Sequence, residues 1–274
     1  MSYATLMVHM DVDGKSSGRE SVAADLAARF HAHLIGVGAW APMSVFLAEG
    51  AKVDPDPTEP HLQDMKSLLD QKGRQFCAAV ARSDPQAEWR SVLDFPTDVL
   101  AQECRSADLV IVGPGQESSD PFRALDPGSL VLKAGRPVLI VPQGVTSLPL
   151  RHIAIAWKDV REARRAVRDA LPFLQQAESV TIVGISEAGE DDRVMRQIKD
   201  VAAYLARHRI EVIAERVRPA DVNVTDALLR LVHDENINLV VAGAYGHSRL
   251  GEWVFGGVTR DLLAQSPVCS LLSH

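Results

Sequence analysis

Cysteine is scarce. The 274 residues hold three, Cys77, Cys104 and Cys269, an odd number without Cys-x-x-Cys spacing. That excludes a disulfide frame and fits thiols kept reduced in the cytoplasm. No stretch approaches the ~18 uncharged apolar residues of a membrane-crossing helix. Met1–His9 lacks a basic segment followed by an apolar one, so no secretion signal is expected. Basic excess is also missing. Lys and Arg total 29 against 36 Asp and Glu, a formal charge of −7, which argues against a nucleic-acid binder. Nine histidines include neither His-Glu-x-x-His nor a Cys/His metal spacing, so no metal centre is expected. Gly113-Pro114-Gly115 lacks the Gly-Lys-Ser/Thr ending of a phosphate loop, and no Gly-x-Gly-x-x-Gly follows the first strand. What is present is a globular composition, 46% apolar and 24% charged, with length for about two domains.

The chain repeats itself. At an offset of 130 residues, Ala107–Gly113 falls on Ile237–Gly243, and Arg136–Val141 falls on Ser266–Leu271. With two residues of slippage, Thr97-Asp98-Val99-Leu100 meets Thr225-Asp226-Ala227-Leu228. The openings Ala4–Asp11 and His152–Lys158 also correspond. Two domains are expected, 1–145 and 151–274, joined by a short linker at Gln143–Leu150. The surplus of the first copy, near Ala41–Pro60, contains four prolines and reads as a loop.

Each copy alternates apolar strands with amphipathic helices. In the second, strands are expected at Ile153–Trp157, Val180–Ile185, Ile210–Val217, Leu239–Ala242 and Val268–Leu272. Helix one carries Ala163, Ala166, Val167, Ala170 and Leu174 on one face, and helix two carries Val194, Ile198, Val201 and Leu205. Continuous apolar strands with helical crossovers predict an α/β fold: two tandem doubly wound domains, each a five-stranded parallel sheet flanked by helices. Pro137–Val141 and Pro267–Leu272 are the candidate edges through which the halves would pack as an intramolecular pseudo-dimer.

Ligands of such sheets sit beyond the carboxyl ends of the strands, where the strand order switches. There the second copy runs Gly243-Ala244-Tyr245-Gly246-His247-Ser248-Arg249, then Gly256-Gly257-Val258-Thr259 at the start of the last helix. Glycines let backbone N–H groups approach an anion, and a helix N-terminus favours it, so the segment reads as a phosphate cradle. The plainer reading is a set of ordinary turn and cap glycines.

The paired halves and this segment resemble the universal stress protein family in its tandem form. The nucleotide-binding members carry Gly, two residues, Gly, nine residues, Gly, then Ser or Thr. Gly243, Gly246 and Gly256 match that spacing, but Gly257 stands where the hydroxyl belongs. The family places an Asp at the end of the first strand. Here Lys158 takes that place between Trp157 and Asp159. The resemblance implies a Rossmann-like, adenine nucleotide alpha hydrolase-like fold. It also implies ATP or AMP as ligand, with Mg²⁺ as a companion, bound by Trp157, Lys158, Asp159, Ile185, Gly243, Gly246, His247, Gly256, Gly257, Val258 and Thr259. A stress-response regulator acting through a protein partner follows, with no catalytic residues, a weak ATPase and a further homodimer being left open. In the first copy Gln116 and Asp126 replace Gly246 and Gly256 at the 130-residue offset. Asp11 is the acid at its first-strand end. An acid in the cradle repels phosphate, so that copy is expected not to bind a triphosphate.

Overall fold

The computed structural model describes residues 2–12, 17–42, 59–84, 86–115, 120–186, 190–219, 224–245, 259, 262–263 and 266–274. The first half runs β1 (Thr5–His9), α1 (Ser17–Phe30), β2 (His33–Ala39), α2 (Glu59–Val80), β3 (Glu88–Val92), α3 (Pro96–Glu103), β4 (Leu109–Val112), α4 (Pro127–Ala134) and β5 (Val138–Ile140). The second runs β6 (His152–Trp157), α5 (Arg161–Asp169), α6 (Leu171–Leu174), β7 (Ser179–Ser186), α7 (Asp191–Arg207), β8 (Val212–Pro219), α8 (Val224–Asp234), β9 (Leu239–Gly243) and β10 (Cys269–Ser273). Thr259, Leu262 and Leu263 are helical, as expected for the last helix.

The strands form one ten-stranded sheet in the order β3-β2-β1-β4-β5-β10-β9-β6-β7-β8. Within each half every pairing is parallel. The halves join where β5 meets β10 antiparallel, with Val138 opposite Leu272 and Ile140 opposite Ser270. These are the two segments the apolar pattern marks as edges. Pairing them covers two rows of backbone donors and acceptors that would otherwise lie open. Strand order reverses at β1/β4 and again at β6/β9, so the molecule has two crevices of one design.

Alternate residues of the strands feed two apolar layers. Leu6, Val8, Ile153, Ile155 and Trp157 pack with α1, α2, α5, α6 and α7. Met7, Ala154, Val240 and Ala242 pack with α3, α4, α8 and Leu262 on the other face. The first layer continues across the junction. Tyr3, Phe30 and Phe173 meet edge to face at 5.2–5.5 Å, and the Tyr3 hydroxyl donates to the Asp169 carbonyl at 2.5 Å.

Helix one of the second half differs from the pattern. The apolar face through Leu174 suggests one helix, but α5 ends at Asp169 and α6 begins at Leu171. Pro172 explains the break: it has no N–H to donate, and its ring crowds the carbonyl four residues earlier. Of the cysteines, Cys104 and Cys269 are buried, Cys77 is half-buried, and all three are free. Burial pushes the Cys269 thiol up to about 12, which keeps it protonated and inert.

Candidate functional site

The second crevice begins at Gly243. A Cβ there would lie 2.5 Å from the backbone nitrogen of Ala163 and 2.6 Å from the carbonyl carbon of Glu162. The first turn of α5 therefore rests directly on the end of β9, and only glycine allows it. Ala244 continues the path, donating its N–H to the Ser273 carbonyl at 2.9 Å. The chain then turns left-handed at Tyr245, with φ +60°. That conformation is uncommon for a bulky residue and needs support from its surroundings. Part of the support is Thr259, whose buried Oγ1 accepts from the Tyr245 N–H at 3.5 Å. The Tyr245 side chain crosses to the first half. A Cβ on Gly128, in the first turn of α4, would meet its hydroxyl oxygen at 2.6 Å. Burial, aided by the nearby Asp126 charge, holds the Tyr245 phenol up at about 12.

The other expected site residues fall into three groups. Trp157 ends β6, buried on the α5/α7 face. Asp159 follows on the surface, accepting from Arg164 at 2.7 Å and from Gln197 at 3.5 Å. Both line a groove between α5 and α7. Lys158 points to solvent, while its carbonyl accepts from Val160 N–H in a tight turn at 2.7 Å. Ile185 is the penultimate residue of β7, level with Arg218 of β8. Gly246, His247, Gly256, Gly257 and Val258 lie outside the described residues. The geometry thus joins Gly243 with Thr259 through Tyr245. Sequence reasoning missed Tyr245, whose signal was an aromatic set between two glycines of the loop.

The first crevice is built differently. Asp126 is the N-cap of α4. Its carboxylate accepts from the Gly128 N–H at 3.0 Å and from the Ser129 hydroxyl. The helix N-terminus that would face an anion already holds one, supplied by the chain. At the end of β1, Asp11 is buried in an ion pair with Arg19, whose Nε also donates to the His9 carbonyl at 2.8 Å. His9 is buried beside them. Burial holds its imidazole at about 4, so it is neutral at pH 7. The cavity among His9, Asp11, Arg19, Gly113, Gly115 and Leu125 measures about 10 Å³, room for one water.

A second motif occurs in the first half. Gly14-Lys15-Ser16-Ser17-Gly18 has the Gly-x-Ser-x-Gly spacing of a nucleophile elbow. An elbow needs a sharp strand-to-helix turn, but seven residues separate His9, the end of β1, from Ser17, the start of α1. Residues 13–16 lie outside the described residues. Among those described, no three His, Cys, Asp or Glu side chains are placed to hold a metal ion. None of their helices is long and apolar enough to cross a membrane.

Parallel strands, crossover helices and a glycine at a switch-point strand end define a doubly wound α/β arrangement, seen in each half. Its relatives agree. Residues 150–272 match the sequence model of the Universal stress protein family, so the carboxyl-terminal half is a universal stress protein domain. No curated protein matches the chain. A universal stress protein from Archaeoglobus fulgidus DSM 4304 superposes with a TM-score of 0.74 at 14% identity, covering 98% of this chain and 95% of that one. A functionally unknown protein from Pseudomonas aeruginosa PAO1 gives a TM-score of 0.57 at 14% identity, covering 99% and 92%. At these identities the likeness is one of fold, and it extends through both halves.

Proposed function

We propose that the protein is a cytoplasmic regulator of the universal stress type that binds ATP or AMP in its second domain. On this reading residues 1–145 and 151–274 are the two domains, and a protein partner senses the liganded state. The supporting observation is the arrangement from Gly243 to Thr259. Strand β9 ends in a glycine pressed under the first turn of α5, the chain turns left-handed at Tyr245, and Thr259 returns to brace the turn. A loop so fixed starts the Gly-x2-Gly-x9-Gly spacing at the crevice where doubly wound sheets take ligands. Phosphates would meet the backbone of Gly246, Gly256, Gly257 and Val258, and adenine would lie by Ile185. Thr259, which braces the turn, would stand beside them. This reading assigns binding rather than turnover to the loop.

Calorimetric titration with ATP and AMP, with and without Mg²⁺, tests this. Saturable binding is expected, and Gly246→Asp or Gly256→Asp should abolish it while the thermal transition persists. A second reading, a nucleotide-independent interaction protein, draws on Lys158 and Gly257, which depart from the binding pattern. It wins if wild-type protein gives neither heat nor a thermal shift at millimolar nucleotide.

A further inference from the structure

We infer that Tyr245 is a positioning residue for the glycine segment after β9, and that the first half holds it through a slot at Gly128. What that segment binds rests on the nucleotide reading above. The 130-residue offset places Gly115 on Tyr245. Each stands just beyond the fourth strand of its half, and each turns left-handed, at φ +85° for Gly115 and +60° for Tyr245. Glycine takes that conformation freely, whereas a side chain opposes it. The second half thus keeps a tyrosine where the same turn calls for glycine. Such a backbone persists only where its surroundings over-determine it, and it is found where position matters to function.

The surroundings come from both halves. Thr259 Oγ1 accepts from the Tyr245 N–H within the second. The ring packs into the apolar layer shared by α4 and Leu263, and its hydroxyl oxygen is buried against Gly128. Gly128 is itself out of place. It lies inside α4, where glycine is a poor helix former, and its backbone makes no left-handed turn. The tyrosine accounts for it. A Cβ on Gly128 would meet the Tyr245 oxygen at 2.6 Å, ahead of Asp126 Oδ1 at 3.2 Å and Leu263 Cδ1 at 3.7 Å. The first half's own turn ends on the same spot, because a Cβ on Gly115 would clash with Pro127, the neighbour of Gly128. One helical turn of α4 therefore receives both strand-end turns. The start of the second half's segment is set against the first half, not by its own half alone.

The test compares four full-length proteins: wild type, Gly128→Ala, Tyr245→Phe and the double variant. Each is read by its thermal midpoint and, below the lowest midpoint, by calorimetric titration with ATP. With an empty slot, Gly128→Ala should raise the midpoint, because alanine narrows the unfolded ensemble and suits a helix. With Tyr245 in the slot it should lower the midpoint. It should also weaken ATP about tenfold or more, the scale of one overpacked contact. Tyr245→Phe keeps the ring and removes the oxygen, so it should bind ATP within a few-fold of wild type. In the double variant both midpoint and affinity should recover to the level of Tyr245→Phe. The inference is overturned if Gly128→Ala leaves the midpoint unchanged or raises it, or if Tyr245→Phe does not rescue it. It is overturned equally if the midpoints follow this pattern while ATP affinity stays constant, since the contact is then packing alone. Wild-type protein that binds no ATP overturns the nucleotide reading, and the positioning role falls with it.

Discussion

The two crevices share a frame and differ in what fills it. In the first, the charged groups among the described residues are already satisfied from within. Asp126 caps α4, Arg19 holds Asp11, and about 10 Å³ remains. In the second, the corresponding strand-end acid is replaced by a solvent-facing Lys158, and Gly256 falls where Asp126 caps. Two halves can therefore share a topology while one of them turns its crevice into internal structure. The copies also interlock. Tyr245, which opens the second loop, reaches the first turn of α4 in the half whose own site is closed.

That contrast can be broken from the first half. Arg19→Met should have the largest effect, since it removes the cation paired with the buried Asp11 carboxylate. A loss of about 3–5 kcal/mol is expected by chemical denaturation. A loss below about 1 kcal/mol would mean the pair is not structural. Next is acidification. The folded protein holds the His9 imidazole at about 4, against 6.5 for the free group. Between those values the unfolded chain takes up a proton that the folded chain refuses. Stability is therefore complete above about pH 6.5 and falls as pH drops towards 4. The His9 share is roughly 3 kcal/mol by linkage. His9→Asn should flatten that part of the stability curve, and an unchanged slope would sink the assignment.

Smaller effects sharpen the second half. Gly243→Ala drives a methyl group into the backbone of α5 and should cost about 1–3 kcal/mol, with loss of nucleotide binding. Unchanged melting would show that α5 does not rest on the strand end. Asp126→Ala removes a helix cap and should cost about 1 kcal/mol. It should not create a nucleotide site in the first half, because the Asp11–Arg19 pair still fills the crevice. A second binding event in that variant would contradict the account.

Much of the fold was legible because strands buried on both faces are apolar throughout. Leu109–Val112 and Leu239–Gly243 announce themselves by composition, and the 130-residue offset pairs them. The joining edges were legible for the same reason. Pro172 should have split helix one on backbone chemistry alone. The site was less readable. Asp126 was visible as an acid in the wrong place, but its use as a cap depends on the turn into α4. Trp157 sat in the expected strand, yet which helix layer received it depended on the alternation of β6. Tyr245 and Gly128 are 117 residues apart in sequence, and their contact is a product of the β5–β10 junction. Nothing local encodes it.

The most direct measurement is the stoichiometry of nucleotide binding to the intact chain. Calorimetry with ATP should give one site per chain, lost in Gly256→Asp and retained in Arg19→Lys. Two sites would show that the first crevice binds as well, and one site that survives Gly256→Asp would show that the nucleotide is held elsewhere than in the Gly256 loop.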